Sequence, residues 1–96
     1  MNIEQFELTE KRVKIFKALA DETRLAILKM LYHSGKELNC TEVGVTCDTS
    51  KSNASYHFRT LREAGLIKVR KEGQTRYMRI YKETFDQILP GFLDTL

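Results

Sequence analysis

The chain has no tryptophan, a single proline (Pro90) and only five glycines in its 96 residues, so it holds no proline-rich or glycine-rich linker that would separate two folded units. It reads as one domain over residues 1–96, and at that length only a thin core can be buried, which makes a second copy of the chain a useful source of further apolar burial. Its apolar runs reach four or five residues, far short of the ~20 needed to cross a bilayer. The opening MNIEQFELTEK lacks the basic start and apolar centre of a secretory signal. The expectation is a cytoplasmic protein with no membrane partner. Cys40 and Cys47 form no CxxC pair and no His/Cys cluster, which argues against a zinc framework. On one helix their seven-residue separation places them about 10 Å apart along the axis, too far for an internal disulfide, so they read as buried thiols. The chain also lacks a Ser/His/Asp set, a phosphate-cradling glycine loop and paired buried carboxylates, and no enzyme is expected.

Charge is present but unevenly placed. Nine basic and two acidic residues between Ser50 and Lys82 give that third a net charge of +7, whereas residues 1–49 carry −1 and the last fourteen carry −3. A basic segment in an otherwise slightly acidic domain is the electrostatic footprint of a face that binds a polyanion.

Periodicity assigns five helices and a hairpin. TEKRVKIFKALA places Val13, Phe16, Leu19 and Ala20 at helical spacing. Asp21 then caps a second, nearly all-round apolar helix, ETRLAILKMLYHS, which Gly35 ends. Thr41 is expected to cap a short third helix through about Cys47, with Val43, Gly44 and Cys47 inward. After the polar stretch Asp48-Thr49-Ser50, a fourth helix runs from about Lys51 to Ala64, buries Ala54, Phe58 and Leu61, and stops at Gly65. The period then changes to two in LIKVRK and TRYMRI, a hairpin whose turn is Glu72-Gly73-Gln74. The tail ETFDQILPGFLDTL returns to helical spacing, with Pro90-Gly91 kinking or restarting it.

Two short helices joined by a polar turn and followed by a basic hairpin make a winged helix-turn-helix: mainly α, about five helices plus a two-stranded antiparallel wing. In that arrangement the second helix of the pair enters the major groove. Lys51, Ser52 and Asn53 lie in the first turn of the fourth helix, where the positive dipole end favours phosphate. Ser55, Tyr56 and Arg59 lie further along, within reach of base edges or the phosphate wall. Arg70, Lys71, Gln74 and Arg76 flank the wing tip. Arg24 reads as a partner in an intramolecular pair rather than as a DNA contact.

The run FKALADETRLAILKML followed by SKSNASYHFRTLREAGLIKVRKEGQTRYMRI resembles the ArsR/SmtB family of dimeric winged-helix transcriptional repressors, over about Phe16 to Ile80 and without a gap. The resemblance implies a homodimer held by the first and last helices, about 9–20 and 83–96, bound to an imperfect palindrome of double-stranded DNA. It places base reading on Lys51, Ser52, Ser55 and Tyr56, and sets His57 beside the helix core. Lys51 stands where many members have Gln, so operator preference does not transfer. The interface falls on Val13, Phe16, Phe85, Ile88, Leu89, Phe92, Leu93 and Leu96. An apolar tail stripe so near the terminus itself argues for a partner helix. Metal-sensing members carry Glu-Leu-Cys-x-Cys-Asp, two thiolates that bind a soft ion together. This chain reads Glu37-Leu38-Asn39-Cys40-Thr41-Glu42, and no His follows His57. No metal and no cofactor are therefore expected at the family's known sites. The inducing signal would be an unidentified small molecule or a redox change, with Cys40 the candidate thiol. The alternative is a winged-helix module that binds acidic protein surfaces or nucleic acid without sequence preference, distinguished by its indifference to duplex sequence.

Overall fold

Asn2 opens the structure: its side chain accepts from the Gln5 backbone N–H while the Gln5 side chain accepts from that of Asn2, a reciprocal cap that starts α1 (Ile3–Leu19). The computed structural model describes residues 2–47 and 50–96; Asp48 and Thr49 of the expected polar turn lie outside the described residues. The first helix thus begins six residues before the sequence pattern placed it, because the cap outweighs the polar character of the first two turns. Asp21 accepts from the Arg24 N–H at 3.0 Å and starts α2 (Glu22–Ser34), which Gly35 ends at φ 65°. α2 buries Ile27, Leu28 and Leu31, but Ala26 is exposed and Leu25 and Met30 are half-buried, so it is one-sided rather than apolar all round.

Asn39, not Thr41, caps α3 (Cys40–Thr46), accepting from the Glu42 N–H at 2.7 Å. Val43 and Gly44 are buried as expected and Cys47 is half-buried at the helix end. Ser50 caps α4 (Lys51–Glu63), which buries Ala54, Phe58 and Leu61 and is followed by Gly65 at φ 77°. Beyond it lie β2 (Ile67–Glu72) and β3 (Thr75–Ile80), antiparallel and in register from Ile67 opposite Ile80 to Glu72 opposite Thr75. The turn is therefore the two residues Gly73 and Gln74, with Gly73 at φ 61°, a conformation suited to a tight hairpin.

The wing has three strands instead of two. β1 (Leu38–Asn39) pairs with β3 through Leu38 opposite Met78 and Asn39 opposite Tyr77, giving the order β1-β3-β2. Its two residues are too short to leave a period-two pattern, and the pairing ties the start of α3 to the wing.

The tail does not form one helix. α5 (Lys82–Ile88) stops before Pro90-Gly91, and a 3-10 turn follows over Leu93–Thr95. Phe85 and Leu93 are buried in the chain's own core, and Phe92 stacks on Phe85 with ring centroids 6.0 Å apart. Of the eight expected interface residues these two are thus already covered, because the break at Pro90 folds the tail back over the domain. Tyr32 donates to the Asp94 carboxylate and His33 Nε2 donates to the Leu96 carbonyl at 2.9 Å, pinning the tail to the end of α2. No helix among the described residues is long and apolar enough to cross a membrane.

Candidate nucleic-acid interface

A helix that buries Ala54, Phe58 and Leu61 must turn its other residues outward, and Lys51, Ser52, Asn53, Ser55, Tyr56 and Arg59 are all exposed on α4. Tyr56 is 56% exposed, with its ring edge-on to that of His57 at 5.4 Å between centroids. α3 crosses α4 closely: a Cβ on Gly44 would lie 3.6 Å from that of Ala54.

Strand alternation fixes where the wing residues point. Ile67 and Val69 on β2, and Met78 and Ile80 on β3, share one face and pack on the core; continuing the same parity toward the tip places Lys71 and Arg76 on that face, directly opposite each other. Two cations paired across a ladder repel modestly, and an anion between or beside them relieves that repulsion. Between this face and the helices runs an open groove of about 920 Å³, lined by Lys51, Ser55 and Arg59 of α4 and by Gln74, Thr75 and Arg76 of the wing. The same groove brings in Thr41 and Val45 of α3 and Arg62 of α4, which the sequence reading left out of the site. Arg62 was accessible to helical spacing, since Ser55, Arg59 and Arg62 follow at four and three residues. Val45, 75% exposed, had no such signal because α3 is too short to show a period.

Arg70 does not join this set. Its Nε donates to both Glu37 carboxylate oxygens at 3.0 and 2.9 Å, its NH1 donates to Glu72 at 2.8 Å, and its guanidinium lies 4.6 Å over the Tyr77 ring. Those hydrogen bonds to Glu72 and Glu37 hold its pKa above the ordinary arginine value. Arg70, expected among the DNA contacts, stands on the ladder face opposite to that of Lys71 and Arg76, and the Glu37 carboxylate that engages it is delivered by the approach of β1, which alternation along the hairpin does not show. Lys68 similarly rests 4.3 Å over the Tyr81 ring.

Cys40 lies half-buried in the groove wall, and burial raises its thiol pKa although the nearby Arg76 charge opposes this. Burial raises Cys47 as well. Among the described residues no three His, Cys, Asp or Glu side chains gather into a metal-binding group.

Residues 19–70, which span the second helix through most of β2, match the model of a helix-turn-helix domain family. An HTH-type transcriptional regulator of Bacillus subtilis, itself uncharacterised, is 59% identical over 85 residues, 88% of this chain and 85% of the relative. An arsenical resistance operon repressor of Escherichia coli is 40% identical over 68 residues, 71% of this chain and 57% of that protein. The chain belongs to the ArsR family of winged helix-turn-helix transcriptional regulators. The solution structure of a homodimeric winged helix-turn-helix DNA-binding domain from Mycobacterium bovis, a possible ArsR-family regulator, superposes with a TM-score of 0.83 at 25% identity, covering 99% of this chain and 85% of that one. Against the metal-sensing pattern of the family, the first thiolate position is here Asn39, whose side-chain oxygen is spent on capping α3.

Proposed function

We propose that this ArsR-family chain is a cytoplasmic, homodimeric repressor that binds an imperfect palindrome of double-stranded DNA, with α4 in the major groove and the wing tip on the adjacent backbone. The observation that carries this reading is the groove in which Lys51, Ser55 and Arg59 of α4 face Gln74 and Arg76 of the wing, Arg76 standing opposite Lys71 on the ladder. Lys51, Ser52 and Asn53 meet phosphate at the start of α4, Ser55, Tyr56 and Arg59 reach base edges, and Lys71, Gln74 and Arg76 hold the backbone. Arg70 shapes the wing by way of Glu37 and Glu72.

Dimerisation rests on α1 more than on the tail. Phe6 and Phe16 are 55% and 51% exposed, and Ile3 and Val13 extend the same apolar stripe. Ile88, Leu89, Phe92 and Leu96, half-buried, lie on the tail as the secondary part of the contact. An unidentified small molecule or a redox change releases the DNA.

Affinity selection of genomic duplexes by the reduced protein, at physiological salt with random competitor DNA, tests the reading. Recovery of a few related palindromes is expected. A folded dimer that enriches none would return the chain to the protein-interaction alternative.

A further inference from the structure

We propose that Arg24 is a positioning residue that fixes the angle between α1 and α4, and thereby the half-site spacing the dimer accepts. This rests on the DNA-binding reading above. Arg24 is 9% exposed and the hydrogen bonds of its guanidinium go to two other helices: Nε donates to the Ala18 carbonyl at 2.6 Å, NH2 to the Lys17 carbonyl at 3.2 Å, and NH1 to His57 Nδ1 at 3.1 Å.

The last turn of a helix leaves four carbonyls without helical partners. At the end of α1 the Phe16 and Leu19 carbonyls accept from the Ala20 and Asp21 N–H groups, and Lys17 and Ala18 accept from Arg24. One side chain of α2 therefore completes α1. Its remaining branch reaches the middle of α4, where Nδ1 can accept only if the ring is neutral and carries its proton on Nε2. Asp21, which caps α2 on the Arg24 N–H, stands 3.8 Å from the same Nδ1. The end of α1, the start of α2 and the centre of α4 are held at one point.

That point lies between the two functions of the protomer. α1 carries the stripe proposed to meet the partner and α4 carries the reading face, so any rotation between them is applied twice across a two-fold axis. The distance between the two α4 helices must match one turn of duplex, about 34 Å, for both half-sites to be read. A planar guanidinium with fixed donor directions holds such an angle better than a flexible ammonium.

His57→Phe keeps the ring and removes the acceptor; His57→Asn restores an acceptor oxygen close to the Nδ1 position. Nitroxides attached to ketone-bearing residues at positions 11 and 63, on exposed faces of α1 and α4, report the interhelical distance by double electron–electron resonance with labelled chain diluted in unlabelled chain. A narrow distribution is expected for the wild type, a broadened or shifted one for His57→Phe and for Arg24→Lys, and a return to narrow for His57→Asn. On the duplex selected by the wild type, one central base pair inserted should weaken wild-type binding about tenfold and His57→Phe binding by no more than about twofold, with dimer dissociation unchanged. Wild-type distances and spacing discrimination in both His57→Phe and Arg24→Lys would overturn the proposal, as would failure of His57→Asn to restore them. A wild type that selects no duplex would instead refute the DNA-binding reading, and the distance measurement would still decide the role of Arg24. Arg24→Lys carries the test if His57→Phe does not fold.

Discussion

Arg70 and Arg76 stand on the same hairpin and carry the same charge, yet one is engaged by Glu37 and Glu72 while the other lines an open groove. Each phosphate contact releases about one counterion, so Arg76→Ala should lower the slope of log affinity against log salt by about one, measured by fluorescence anisotropy on a selected duplex. Arg70→Ala should leave the slope within about a few tenths, because its charge is already neutralised. Tyr56→Ala is expected to weaken the selected duplex more than random DNA; equal losses would make Tyr56 a backbone contact. Cys40 should alkylate with iodoacetamide more slowly at pH 7 than a cysteine in an unstructured peptide, because burial raises its pKa and depletes the thiolate. Arg76→Ala should slow it further, since that charge acts in the opposite direction.

Helix caps explain the gap between what the sequence made legible and what folded. Asp21, Gly35 and Gly65 are legible because each sits next to an apolar period, whereas Ser50, which caps α4, reads in the sequence only as the end of a polar stretch. Asn2 and Asn39 were missed: one precedes two polar turns and the other sits inside a two-residue strand. On α4, helical spacing separated the buried Ala54, Phe58 and Leu61 from the exposed face, which is why most of the candidate site was legible. What it did not reveal depends on contacts between distant segments, the β1 pairing that brings Glu37 to Arg70 and the tail fold that covers Phe85. The cap on α2 has a pH signature. The hydrogen bond from the Arg24 N–H, with burial opposing and the Arg24 charge adding, lowers the Asp21 pKa below its usual 3.8. A depressed carboxyl stabilises the fold above its unfolded value and loses that contribution as pH falls through the folded one. Asp21→Ala should therefore cost about 1 kcal/mol in urea unfolding at pH 7, and the difference from wild type should narrow on acidification below that folded pKa.

At the scale of the whole molecule the protomer is elongated, 43 Å by 25 Å by 24 Å. α1 leaves Phe6 and Phe16 facing solvent, so Phe16→Asp should give monomers by sedimentation velocity while near-native circular dichroism is retained. Phe92→Asp would be a poorer probe, since that ring stacks on Phe85 and its loss would unsettle the fold as well. If α1 is the main contact, the melting temperature rises with protein concentration, as it does whenever association stabilises only the folded state. The exposed stripe on α1 then has a consequence for abundance. A chain made at a low rate spends its time unpaired, with the first turns of α1 lacking packing and open to proteolysis, whereas a chain made faster pairs and is protected. Doubling the rate of synthesis would then more than double the standing pool, giving a dosage threshold set by an unpacked helix face.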